Sequence, residues 1–172
     1  LKDSGFKVVT NRSGSNFTRG LLASTAESAS WSGRVSGDIA VLEVDEAYGP
    51  ALAAIIKPRA VLALNVFRDQ LDRYGEIDNT AACIAESAKY AQMSVINSND
   101  RALVAEFKKH NVKNITTFSI GSKLKDQLPN EEQLHGGVVN MAHTEAHYML
   151  LATEDSWGKQ RITWANGGDK YQ

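Results

Sequence analysis

Short β-branched apolar runs alternate with amphipathic stretches along the first two-thirds of this 172-residue chain. The runs at Lys7–Thr10, Ile39–Val44, Ala60–Val66, Ser94–Asn97 and Asn114–Ile120 predict strands. Between them, helical spacing of apolar positions predicts helices at about Phe17–Ala29, Tyr48–Ile56, Thr80–Ala91 and Arg101–His110. This is a βαβ rhythm, and it predicts an α/β fold built on an open, mostly parallel sheet. The run AVLAL at Ala60–Leu64 is apolar at every position, as expected of a strand in a parallel sheet with helices on both faces. In such a sheet, ligands bind beyond the carboxyl ends of the strands.

After Ser122 the pattern changes. Leu124–Leu134 is polar with one proline, and Gly136–Thr153 and Gln160–Ala165 read as longer strands joined by a turn at Asp155–Lys159. The expected organisation is therefore an α/β core over 1–121 and a small antiparallel β element over 122–172, within one domain.

Composition narrows the function classes. Nineteen Lys and Arg against 20 Asp and Glu give a formal net charge of -1, with no long run of either sign, so no basic surface for nucleic acid is expected. Lys57 and Arg59 interrupt the most apolar stretch, Ala51–Val66, short of the roughly 18 residues of a transmembrane segment. The single cysteine, Cys83, can build neither an internal disulfide nor a four-thiolate zinc site, which suits a cytoplasmic protein; no zinc is expected. Cys83 falls on a predicted helix and reads as a small buried apolar side chain. The chain begins at Leu1 in polar sequence without the features of a signal peptide, and it reads as a piece of something longer.

Candidate chemistry collects at the predicted strand ends. The strand VLEVDE (Val41–Glu46) brings Glu43, Asp45 and Glu46 to the ligand edge, where one or two carboxylates suit magnesium held partly by phosphate oxygens. Asp45 and Glu46 equally suit a cap for the next helix. Glu43 lies between Leu42 and Val44 in an apolar strand, where a carboxylate without compensation is costly, and this favours a functional role. The next strand runs into LNVFRDQLDRYGEID (Leu64–Asp78), with Asn65, Arg68, Asp69, Gln70, Asp72 and Arg73 close together; Asp78 or Asn79 suits a helix cap. The TNRSGSN loop (Thr10–Asn16) offers donors from Asn11, Arg12, Ser13 and Asn16 around Gly14, suited either to an anion or peptide carboxylate or to a plain turn before a helix. His143, Glu145 and His147 share one face if their segment is a strand, and exposed polar positions explain them more simply than a metal site.

Taken in order, TNRSGSN with Arg19 and Gly20, EVDE (Glu43–Glu46), LNVFRDQLDRYGEID and INSND (Ile96–Asp100) closely resemble the central domain of the Mur ligase family, of the MurT type. The likeness is specific over about Val8–Ala105. Gln70 stands where other Mur ligases carry a metal-ligating histidine. The register of their carbamylated lysine falls near Cys83 or Ile84, with the nearest lysine at Lys89. The resemblance implies a P-loop-like fold and an ATP- and Mg2+-dependent ligase that activates the D-glutamate α-carboxylate of the stem peptide of lipid II, or a related muropeptide, as an acyl phosphate. Ammonia from a GatD-like glutaminase partner then amidates it. It further implies Glu43 as the magnesium-binding catalytic acid and Asn65 in the active-site loop, with Asp69 and Gln70 on the cofactor side. Asn11, Arg12, Ser15, Asn16 and Arg73 fall to the substrate. The family's GTNGKT-type phosphate loop is matched nowhere in the sequence and is expected before Leu1; its adenine-contacting HN-x-x-N segment and C-terminal domain are expected after Gln172. The alternatives are an amino-acid-adding Mur ligase, a folylpolyglutamate synthase-like ligase, or a non-catalytic scaffold for a glutaminase.

Overall fold

The computed structural model describes residues 1–11, 16–66, 77–121, 124, 146–156, 159–166 and 169–171. They fall into two compact units, Leu1–Gly49 and Pro50–Gln172.

In the first unit, β1 (Val8–Thr10) and β2 (Ile39–Val41) form a parallel pair, Val8 opposite Ile39 and Thr10 opposite Val41. Between them run α1 (Thr18–Glu27), packed on β1, and a turn closed by an antiparallel bridge from Ala29 to Val35. The hydroxyls of Ser24, Thr25 and Ser28 donate back to carbonyls four residues earlier, which lets a serine- and threonine-rich helix bury Ser24 beside Leu21. Gly37 has no room for a side chain, since a Cβ there would meet Val9 Cγ2 at 2.6 Å.

The second unit begins in α2 (Gly49–Ile56) and carries a six-stranded sheet of β3 (Ala60–Ala63), β4 (Met93–Asn97), β5 (Ile115–Ile120), β6 (Tyr148–Ser156), β7 (Lys159–Asn166) and β8 (Asp169–Tyr171) in that spatial order. Strands β3 to β6 are parallel, and β7 and β8 continue the sheet antiparallel. The predicted fold class is therefore present, C-terminal antiparallel element included, and that element is hydrogen-bonded to the parallel strands through β5 and β6.

Helices α3 (Ile77–Ala88) and α4 (Arg101–Lys109) pack on each other and over β3 and β4. Ala81, Ala85 and Ala88 recur at helical spacing on α3 and are buried, so its backbone can come close to Leu103 and Phe107 of α4, 0% and 1% exposed. With Ala63, Val66, Ile96 and Val112 these residues form the core. Asp100 caps α4 by accepting from Leu103 N at 3.0 Å, and Lys108 and Lys109 sit in its last turn, where cations suit the helix dipole. Asn111 and Asn114 adopt positive φ in the turn from α4 to β5, which asparagine tolerates better than most residues.

Several expectations need correction at their edges. The strand expected through Val44 stops at Val41, and Glu43 is exposed rather than embedded in an apolar strand. Asp78 and Asn79 lie inside α3, which includes Ile77, so neither is its N-cap. His147 precedes β6, and the strand runs on through Asp155 and Ser156, the positions expected to begin a turn. Cys83 is half-buried on α3.

Candidate functional site

The first unit holds a candidate site around Glu43. Beyond the last β1–β2 pair, Asn11 replaces a strand residue with its side chain. Its Nδ2 donates to the Glu43 carbonyl at 2.8 Å, and its Oδ1 accepts from the Glu43 N–H at 2.9 Å. The amide thereby copies the donor and acceptor of a peptide and extends the ladder. Asn11 is 8% exposed, whereas the Glu43 side chain it positions is exposed. This removes burial in an apolar strand as the ground for a functional Glu43 and substitutes a different one: an accessible carboxylate on an immobilised peptide. One such carboxylate is what a largely hydrated magnesium ion requires of a protein. No group of three or more His, Cys, Asp or Glu that could hold a metal occurs among the described residues.

Asp45 is buried, and its Oδ1 accepts from Ala47 N at 3.2 Å while its carbonyl accepts from Tyr48 and Gly49. It shapes the turn before α2, whose first residue is Gly49, so Asp45 is not the N-cap of that helix. The carbonyl of Asn16 accepts from Asp45 N at 3.1 Å, tying the start of the α1 segment to the turn after Glu43, and Phe17 meets Tyr48 edge-on at 5.6 Å. Arg12 and Ser15 lie outside the described residues.

In the second unit the carboxyl ends of β3, β4 and β5 are joined by side-chain amides. Asn99 Oδ1 accepts from Ile120 N at 2.9 Å, Asn97 Oδ1 accepts from Asn99 N at 2.9 Å, and Asn97 Nδ2 donates to Asn65 Oδ1 at 2.7 Å. Ser98 N and Oγ both donate to the Phe118 carbonyl. Asn97, Ser98 and Asn99 are buried, and Asn65 at the end of the line is exposed. Asp100 adds a brace: Oδ2 accepts from Val66 N at 2.8 Å while Oδ1 caps α4. The residue after Asn65 is thus pinned to the start of a helix. Asp69, Gln70 and Arg73 lie outside the described residues, as do His143 and Glu145. His147 Nδ1 lies 3.1 Å from Thr117 N and 2.9 Å from Thr117 Oγ1, a contact that supports the β5–β6 junction.

The sequence singles out INSND as a motif without giving Asn97, Asn99 or Asp100 a role. Their signal is three amide or carboxylate side chains directly after an apolar strand of a parallel sheet.

A family model described as the Mur ligase middle domain matches residues 22–163. The chain is similar to the MurT subunit of the glutamine-hydrolyzing lipid II isoglutaminyl synthase of Streptococcus pneumoniae (strain ATCC BAA-255 / R6), with 36% identity over 101 residues, 58% of this chain and 22% of that protein. The subunit of the same name from Staphylococcus aureus (strain COL) is 29% identical over 108 residues, 63% of this chain and 24% of that protein. The chain spans about a quarter of the length of these curated relatives.

Proposed function

The chain belongs to the Mur ligase family as a middle domain, and from that premise we propose that it serves an ATP- and magnesium-dependent carbon–nitrogen ligase of the MurT type. The substrate is the D-glutamate α-carboxylate of a lipid II stem peptide or related muropeptide, and a GatD-like glutaminase partner supplies ammonia in the cytoplasm. Support comes from the names of the relatives. No helix among the described residues is long and apolar enough to cross a membrane.

The observation that carries the reading is the accessible Glu43 carboxylate on a peptide fixed by Asn11 at 2.8 and 2.9 Å. Glu43 would hold magnesium, which supplies charge neutralisation for phosphoryl transfer. Asn65, at the carboxyl end of β3, offers a polar contact to the nucleotide side, with Asp69 and Gln70 following it in sequence. Arg12, Ser15, Asn16 and Arg73 are assigned to the substrate, and Asn11 serves it indirectly, through Glu43. In the reaction, a substrate carboxylate oxygen attacks the terminal phosphorus of ATP, releasing ADP and leaving an acyl phosphate. Ammonia then attacks the acyl carbon, phosphate departs, and the nitrogen loses a proton. The protein's task is to place the reactants and keep water from the activated acyl group.

The test is Glu43→Gln in the parent protein with its glutaminase partner, read as ATP-consuming amidation of a muropeptide. Turnover should fall by about two orders of magnitude, the scale expected when a group stabilising transition-state charge is removed, with the circular dichroism spectrum unchanged. Retained turnover would overturn the magnesium assignment.

A further inference from the structure

We infer that Asn97 is a positioning residue that fixes the polarity of the Asn65 side chain, so that the end of β3 presents an N–H donor for an anionic oxygen of the ligand and not a carbonyl for a cation. The inference rests on the ligase reading and deepens it by assigning what Asn65 offers.

The argument follows donors and acceptors along the line. The Asn99 backbone N–H can only donate, so the Asn97 atom 2.9 Å from it must be the carbonyl Oδ1. That orientation turns the Asn97 NH2 toward Asn65, and at 2.7 Å the Asn65 atom facing it must be an acceptor, Oδ1. Asn65 Nδ2 is then the group left to the exposed side of the strand end, where it has no hydrogen-bond partner among the described residues. An exposed asparagine would otherwise turn over freely and offer either end. Here the choice is made by a backbone N–H two residues beyond Asn97, and Asn97 itself is 7% exposed and held within the buried Asn97–Asn99 turn. Asn99 is anchored in turn by Ile120 N at 2.9 Å, so the polarity is referred back to β5. A donor at this place suits a phosphate or carboxylate oxygen, whose charge strengthens the bond.

The experiment uses the parent protein, with ATP–magnesium and inorganic tripolyphosphate as titrants in calorimetry. In Asn97→Asp the carboxylate still accepts from Asn99 N–H but no longer donates to Asn65, whose amide turns over. Both dissociation constants should rise tenfold or more at pH 7.5, while affinity for magnesium alone rises, because the turned-over Asn65 now presents its oxygen outward. A residue of purely structural importance would weaken the binding of all three ligands alike. Asn65→Asp is the second variant; its exposed position tolerates the change. It keeps the bond from Asn97 and presents an oxygen outward, so it should lose tripolyphosphate affinity and gain affinity for magnesium alone. Wild-type binding with Asn97→Asp within twofold, or magnesium binding weakened along with the anions, overturns the inference while leaving the ligase reading in place. Should Asn97→Asp not fold, Asn65→Asp binding tripolyphosphate as the wild type does has the same force. A wild-type protein that binds neither titrant overturns the ligase reading and this inference with it.

Discussion

Asn11 and Glu43, 32 residues apart, are joined by two hydrogen bonds between one side-chain amide and one peptide. Asn11→Ala removes both bonds and leaves the Glu43 N–H and carbonyl to find water in a place where Asn11 is 8% exposed. The expected cost is about 1–3 kcal/mol. The functional consequence is separable from the structural one. With its peptide released, the carboxylate no longer has a fixed position, so the magnesium concentration for half-maximal ligase activity should rise several-fold. A magnesium titration of the parent enzyme at saturating ATP checks this, and an unchanged midpoint would mean that Glu43 is held by other contacts.

Asp100 accepts from Val66 N with one oxygen and from Leu103 N with the other. Asp100→Ala therefore uncaps α4 and releases the Val66 amide in a single change. A loss of about 1–3 kcal/mol in urea unfolding is expected. Asp100→Asn keeps one acceptor and should recover part of it. Equal losses in the two variants would show that the one bond an asparagine can still accept contributes nothing, against the double role of Asp100.

Gly121 follows β5 and donates to the Leu150 carbonyl at 2.7 Å. A Cβ at this position would lie 2.8 Å from that same oxygen, which belongs to the backbone and cannot swing aside. Gly121→Ala should cost about 1–3 kcal/mol through overpacking. Protection of the β6 amides from hydrogen exchange should fall before that of β4. A variant with wild-type stability would indicate that the β5–β6 pair can slide apart cheaply.

Glu86 of α3 is the described carboxylate with a displaced titration. Its hydrogen bond to Lys89, with help from the Lys89 charge and from His110, holds it below its ordinary 4.5, against a smaller opposing effect of burial. A carboxylate lowered on folding stabilises the native state above its unfolded pKa, and the contribution disappears as pH falls through the lowered folded value. With the side chain 35% exposed, solvent screening limits the pair to about 1 kcal/mol or less. Glu86→Gln should therefore lower Tm slightly at pH 6, and the difference should shrink as pH falls below the ordinary 4.5. The wild type should lose this increment on acidification below about 4.5, the ordinary value from which Glu86 is lowered. A difference that does not diminish at any pH below 4.5 at which the protein stays folded would rule out the ion pair as its source.

Element types were legible in the sequence because β-branched apolar runs and the alanine spacing of α3 report local and core constraints together. The end of β2 was not. Val44 continues the apolar pattern, yet regular pairing stops at Val41 because Asn11 takes over with a side chain, a long-range substitution that leaves no periodic trace. Nor could spacing show that Asn97 orients Asn65, since the direction of an amide is settled by a bond from Asn99. The strand Asp169–Tyr171 has no periodic signal because it is three residues long; it pairs with β7, the strand before it. The apolar neighbours of Glu43 suggest a burial that does not exist; its accessibility on a fixed peptide is the better argument for the same residue.

The change from parallel to antiparallel pairing at β6 also bears on the order in which the protein assembles. Strands β6, β7 and β8 pair antiparallel with their neighbours in sequence, and such hairpins form within about 1–10 μs. Pairing β6 with β5 instead brings together Ile120 and Leu150, far apart in sequence, and such non-local parallel pairs are slow to form. During synthesis β3, β4 and β5 emerge before β6, so the outer side of β5 stays unpaired until the ribosome has delivered Tyr148 and the residues beyond it. These later-made strands form the most local structure, and they complete a sheet whose earlier-made half has been waiting with an open edge.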